Sequence, residues 1–171
     1  LFAASATETG ITQIDLSLGT PGLSLFRDPG VQTGTGANDV LLAGMATTAI
    51  HGGGGDDIIA GGGPGVSAVL YGGAGSDLFV LSPTAGTIRI GDYQVGVDRL
   101  DLTDFPMLRN IDQLAITPTA TGAAITYGAT TIVIESFDGN PISATAFAQS
   151  QVLRLTRFDP TASTGVLIGG N

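Results

Sequence analysis

Large apolar residues recur through the middle of the chain at Leu41, Ile50, Ile59, Leu70 and Phe79, at intervals of 9, 9, 11 and 9 residues. Neither the 3.6-residue period of a helix nor a simple alternation produces that beat. Each of these residues is the centre of a mostly apolar triplet, and glycines crowd the spaces between triplets. The pattern predicts a six-residue turn followed by a three-residue strand, repeated, with the central residue of each triplet pointing into a core. After Leu81 the glycine density falls and ordinary β patterning takes over. It predicts strands over Thr87 to Ile90, Arg99 to Leu102, Leu114 to Thr117, Ala123 to Tyr127, Thr131 to Ser136 and Val152 to Phe158. Gly, Pro and Asp separate them, as in antiparallel sheet. Helical turns are expected near Met107 to Gln113 and Ser143 to Gln149. In residues 1–33, Ile14, Leu16 and Leu18 alternate with polar residues and suggest one strand. That segment reads equally as a linker, the tail of a preceding domain, or a first strand laid on the repeats.

The turns carry the chemistry. Three are well formed: Gly34-Thr35-Gly36-Ala37-Asn38-Asp39, Gly52-Gly53-Gly54-Gly55-Asp56-Asp57 and Gly72-Gly73-Ala74-Gly75-Ser76-Asp77. Each closes on an aspartate two residues before an inward apolar residue. Glycine reaches backbone angles closed to other residues, so such a turn can curl its carbonyls around an ion. The aspartate adds a hard oxygen donor of the kind Ca²⁺ takes. Two spoiled turns alternate with the good ones. Thr48 and Ala68 stand where the aspartate belongs, and Ile50 and Leu70 keep the inward place. The turn from Gly61 is two residues too long.

Composition narrows the partners. There are 15 acidic residues, 13 of them Asp, against 6 Arg and no Lys, for a net charge of −9. That balance argues against nucleic acid or an anionic membrane and favours cations. With no cysteine, disulfides, thiolate catalysis and Cys-zinc sites are excluded. No run of about 18 apolar residues is present to span a membrane as a helix. The start, Leu1-Phe2-Ala3-Ala4-Ser5-Ala6, has no basic region and no initiator Met. It reads as an internal cut point, so the chain is expected to be a piece of a larger protein.

The repeat G-G-x-G-x-D-x-U-x, with U a large apolar residue, resembles that of the RTX calcium-binding modules, which form a parallel β-roll. A second resemblance lies just after it in the chain. Phe79-Val80-Leu81, Ile88-Arg89-Ile90-Gly91-Asp92-Tyr93 and Gly96-Val97-Asp98-Arg99-Leu100-Asp101-Leu102 are similar to the C-terminal cap of RTX modules. Such caps occur in serralysin-type proteases and in the R-modules of mannuronan C5-epimerases. Ile132-Val133-Ile134 and Ala146-Phe147 resemble the cap's later strand and closing helix. Ile88 stands where that family often has an aspartate. The resemblance implies an all-β fold, a calcium-bound parallel β-roll with an antiparallel β cap. It also implies two nonapeptides per coil, so that intact turns share one edge and spoiled turns the other. The implied domains are residues 1–33 as a flanking segment, 34–80 as the roll, and 81–171 as cap and tail.

By the same analogy, the lower turn of a stacked pair gives carbonyls from its first and third residues plus its aspartate. The upper turn gives its second and fourth residues plus its aspartate. Site one would use Gly34, Gly36, Asp39, Gly53, Gly55 and Asp57. Site two would use Gly52, Gly54, Asp57, Gly73, Gly75 and Asp77. Six oxygens meet the lower limit of Ca²⁺ coordination. The implied function is a non-catalytic calcium-binding module of a secreted, extracellular protein that folds on calcium after passing type I secretion machinery. A carbohydrate-binding or cell-surface-binding module is the alternative. Arg89, Arg99 and Arg109 are its candidate contacts to an anionic polysaccharide, and only Tyr71, Tyr93 and Tyr127 bring hydroxylated rings. Asp92 and Asp98 are candidates for a further calcium site, and Asp101 for a structural hydrogen bond. His51, the only histidine, is expected at the surface. No H-E-x-x-H and no G-x-S-x-G occurs, so zinc-protease and lipase chemistry have no seat in these residues.

Overall fold

The structure, a computed structural model, describes the backbone of residues 4–7, 10–15, 24–26, 29–147 and 152–153, and the side chains of residues 29–147. The repeat region winds as anticipated. Strands β4 (Gly30–Thr33), β6 (Thr47–Gly54), β8 (Val69–Ala74) and β10 (Thr87–Tyr93) stack in one sheet. Strands β5 (Asp39–Leu42), β7 (Ile58–Gly62), β9 (Leu78–Ser82) and β11 (Arg99–Asp101) stack in the other. All of these neighbours are parallel. The chain alternates between the sheets and so completes one coil in two strands. Equivalent residues Val40, Ile58, Leu78 and Arg99 lie 18, 20 and 21 positions apart.

Side chains alternate across a strand, so one column per sheet faces the space between the sheets. In one sheet that column is Leu41, Ile59, Phe79 and Leu100; in the other it is Ile50, Leu70, Ile90 and Ile134. All eight are wholly buried. The five residues of the opening pattern are therefore core residues, including the two from spoiled turns. The long turn from Gly61 absorbs its extra residues at the edge, since Leu70 still pairs with Ile50. Below Ile50 the column ends in a polar plug: buried Gln32 donates from Nε2 to the Leu42 carbonyl at 2.9 Å and to Thr47 Oγ1 at 3.0 Å.

The antiparallel expectation for the second half is corrected in part. Strands β10 and β11 keep the parallel stacking, because Ile88, Ile90 and Leu100 extend the roll's buried core past the last nonapeptide. Among the described residues of this half, only β12 (Ala115–Pro118), β13 (Gly122–Tyr127) and β14 (Thr130–Ser136) pair antiparallel, and β14 joins the roll parallel to β10. A short connection at Gly128-Ala129, with Gly128 at φ 59°, makes the β13–β14 hairpin possible. On the other sheet β15 (Val152–Leu153) adds parallel to β11. The rest of the strand expected to Phe158 lies outside the described residues. Both expected helical turns appear as single 3-10 turns, Ile111–Gln113 and Ala144–Ala146. Buried Phe147 follows the second and packs its ring 5.9 Å from Tyr93, whose ring is 6.2 Å from Phe79.

The cap thus closes the apolar end, which would otherwise expose core and strand edge. Among residues 1–33, strands β1 (Ala4–Thr7), β2 (Gly10–Asp15) and β3 (Ser24–Phe26) form an antiparallel run, and β3 pairs parallel with β5. Through β3 the described strands of this segment extend the sheet of the roll. Of the alternating residues expected there, Ile14 falls in β2, whereas Leu16 and Leu18 lie outside the described residues. No helix among the described residues is long and apolar enough to cross a membrane.

Candidate metal centre

The intact turns stack on one edge and their aspartates form a ladder. Asp39 donates its backbone N–H to Asp57 Oδ1 at 2.8 Å, and Asp57 donates to Asp77 Oδ1 at 2.9 Å. Asp77 in turn donates to Asp98 Oδ1 at 3.1 Å. Asp98 is therefore a fourth rung, contributed by the cap. The four residues are 0%, 1%, 0% and 1% exposed. A second ladder runs along the outside of the same edge. Asp56 N–H donates to Asn38 Oδ1 at 2.8 Å, and Ser76 N–H donates to Asp56 Oδ1 at 2.9 Å.

This stack of buried carboxylates is electrostatically incomplete. Burial pushes the Asp57 carboxyl up to about 6, against the Asp39 amide, and the charges of Asp77, Asp39 and Asp56 add to the rise. Burial also raises Asp77, with Asp92 and Asp56 adding to it, against the Asp57 amide. Asp98 is pushed up to about 6 by burial, and the Gln94 and Asp77 amides oppose the shift. Three carboxylate oxygens are buried with no hydrogen-bond partner: Asp39 Oδ1, Asp57 Oδ2 and Asp77 Oδ2. An unpaired buried carboxylate oxygen is costly, and a cation is the partner that relieves it.

The geometry stacks the glycine-rich turns that carry the expected donors. Gly53 pairs with Gly73 and Gly54 with Ala74 in the β6–β8 ladder. The Gly36 Cα lies against the Gly54 position. A Cβ on Gly52 would collide with the Gly72 carbonyl oxygen and with Asp57 Oδ2, and one on Gly34 would collide with the Gly52 carbonyl oxygen. Acceptor oxygens of adjacent turns therefore crowd the places that the first glycine keeps open. A donor set of carboxylate and carbonyl oxygens is hard, and it suits Ca²⁺ better than zinc or copper. Among the described residues no cluster of three or more His, Cys, Asp or Glu side chains could hold a metal. Any ion here must draw on backbone carbonyls. Thr48 and Ala68, on the opposite edge, offer no carboxylate.

Other candidates are accounted for locally. Asp92 accepts from the Gly72 N–H at 2.8 Å and the Gly73 N–H at 2.9 Å, tying the cap to the third turn. Asp101 Oδ1 accepts from the Thr103 N–H at 2.9 Å, a structural bond. His51 is exposed and its ring stacks on Tyr71 at 4.6 Å and 4°. Arg89 and Arg99 are both exposed but lie on different sheets, and Arg109 sits in the loop after β11, so the three do not share a face of one sheet. The expected ligand set omitted Gly72, although it holds the same turn place as Gly34 and Gly52. It also passed over Thr35 and Gln94. Asp98 was legible as a rung from Gly96-x-Asp98-x-Leu100, which repeats the spacing of Gly75-x-Asp77-x-Phe79.

No protein-family model and no curated protein sequence matches the chain. Among solved structures, it is similar to the solution structure of the AlgE6R3 subunit of the Azotobacter vinelandii mannuronan C5-epimerase. The TM-score is 0.56 at 22% identity, over 85% of this chain and 89% of that one. A likeness at that identity concerns the fold: this chain and the epimerase subunit share a β-roll architecture over most of their lengths.

Proposed function

We propose that the chain is a non-catalytic, calcium-binding module of RTX type within a larger secreted protein, and that it folds on binding calcium outside the cell. The observation that supports this best is the column of buried aspartates with unpaired oxygens, one of which, Asp57 Oδ2, lies with the Gly72 carbonyl oxygen against Gly52. The net charge of −9 and 27 glycines oppose compaction without an ion. Calcium neutralises the turn acids and ties adjacent turns, so its binding energy becomes folding energy. Extracellular modules of this kind bind at about 10⁻⁴–10⁻³ M, far above cytosolic calcium. A chain kept loose inside the cell suits passage through a type I secretion channel. Circular dichroism with chelator and with calcium in the millimolar range tests the reading. The β signal and the melting curve should strengthen markedly with calcium, and identical spectra would refute it. The capped end, held by Asp92, Tyr93 and Phe147 through protein contacts, is expected to retain partial structure in chelator.

A further inference from the structure

The four rungs of the aspartate ladder are not equivalent, and the difference tracks the residue at the second place of each turn. That place holds Thr35, Gly53, Gly73 and Gln94 in chain order. Where it is not glycine, the residue turns its own amide onto the aspartate of its turn. Thr35 N–H donates to Asp39 Oδ2 at 2.5 Å, and the Thr35 hydroxyl donates to the same oxygen at 2.9 Å. Gln94 N–H donates to Asp98 Oδ2 at 2.7 Å. Where it is glycine, φ is +107° at Gly53 and +94° at Gly73, a region that side-chain-bearing residues avoid. In those two turns Asp57 Oδ2 and Asp77 Oδ2 are the oxygens left without any partner. Thr35 and Gln94 do not enter that region.

We propose that the second-place residue decides whether the aspartate of its turn is available to a cation, so that the site between Asp57 and Asp77 is the tight one and Thr35 weakens the site between Asp39 and Asp57. This rests on the calcium reading above and ranks the two sites within it. The site between Asp57 and Asp77 contains both free Oδ2 atoms. The neighbouring site contains one, because Asp39 Oδ2 already takes two hydrogen bonds from Thr35. The unpaired Asp39 oxygen is Oδ1, the equivalent of the Asp57 atom that accepts the Asp39 amide, so by the repeat of the ladder it faces away from Asp57. Asp98, with Oδ1 on the Asp77 amide and Oδ2 on the Gln94 amide, ends the ladder without a metal. The Gln94 side chain reinforces that end by donating from Nε2 to the Gly73 carbonyl at 2.8 Å. A carbonyl oxygen has a second lone pair, so Gly73 is still able to serve an ion.

Hydrogen bonds to a charged group are worth about 1.5–3 kcal/mol, so competition from Thr35 is expected to weaken its site about tenfold or more. Calorimetric titration of the full chain with calcium chloride reads this directly. The wild type should show one tight and one weak ion. Thr35→Gly, which lets the first turn adopt the backbone of the other two, should bring the two affinities together. Thr35→Ala removes the hydroxyl but keeps the backbone of an ordinary residue, and should leave the weak site at least about threefold weaker than the tight one. Two ions of equal affinity in the wild type, or no response to Thr35→Gly, would overturn the ranking and leave the calcium reading intact. A wild-type chain that takes up no calcium refutes that reading, and the ranking with it.

Discussion

Asp57 closes the middle one of the three intact turns. Its amide reaches up to Asp77, its Oδ1 receives the Asp39 amide, and its Oδ2 is buried and unpaired. It is the one carboxylate common to both proposed sites. Asp57→Ala should therefore lower calcium affinity by about tenfold or more, about 1.4 kcal/mol, and depress both ions. Asp39→Ala should do less, because its Oδ2 is already bonded to Thr35. Equal losses in a calorimetric titration would contradict a stacked arrangement. The site was legible at this scale wherever residue type alone decides it. Asp39, Asp57 and Asp77 follow from their place in the repeat, where a carboxylate adds charge to a side chain long enough to reach the neighbouring turn. The roles of Thr35 and Gln94 were not legible, because they act through backbone N–H groups, which every residue but proline carries. What distinguishes them is φ, and φ follows from the stacking of turns.

Strand-forming units repeat this division between what spacing shows and what packing decides. The inward columns could be read from Leu41, Ile50, Ile59, Leu70 and Phe79, because a core position tolerates little but a large apolar group. Strand direction in the second half could not. Ile88 and Ile90 show the same alternation whether a strand runs parallel or antiparallel to its neighbour, and β10 proved to continue the roll. The antiparallel unit is instead marked by its short turn at Gly128-Ala129 and by Gly122. A Cβ on Gly122 would collide with the Ile134 carbonyl oxygen, backbone against backbone in the β13–β14 pair. Gly122→Ala should destabilise the cap by about 1–3 kcal/mol, since neither atom can step aside without breaking the ladder. Thermal melting in saturating calcium should show a lower midpoint, while the number of calcium ions bound stays at the wild-type value. An unchanged midpoint would mean that β13 and β14 are not packed in this register.

For the molecule as a whole, the ladder and the calcium binding proposed for it should make stability depend on pH in opposite senses with and without the ion. Without an ion, Asp57 and Asp98 are both pushed up to about 6, and burial raises Asp77 and Asp92 in the same direction. In the unfolded chain these groups revert to ordinary carboxyls near 3.8. Between those values the folded state binds more protons than the unfolded one, so stability falls as pH rises. The contribution is complete below the unfolded pKa and is lost as pH passes through about 6. Protons at mild acidity thus do part of what a cation does at neutral pH: they remove charge from a buried column of carboxylates. At the proposed sites calcium should reverse the sign, because its ligands must be ionised and acid competes with it. After removal of ions on a chelating resin, the chain should melt higher at about pH 5 than at about pH 7.5, and its β signal should recover on acidification. With saturating calcium the order should invert. The two melting-point curves should lie close together at about pH 5 and separate, with calcium above, as pH rises, and curves held the same distance apart at every pH would show that the aspartate ladder does not govern the fold.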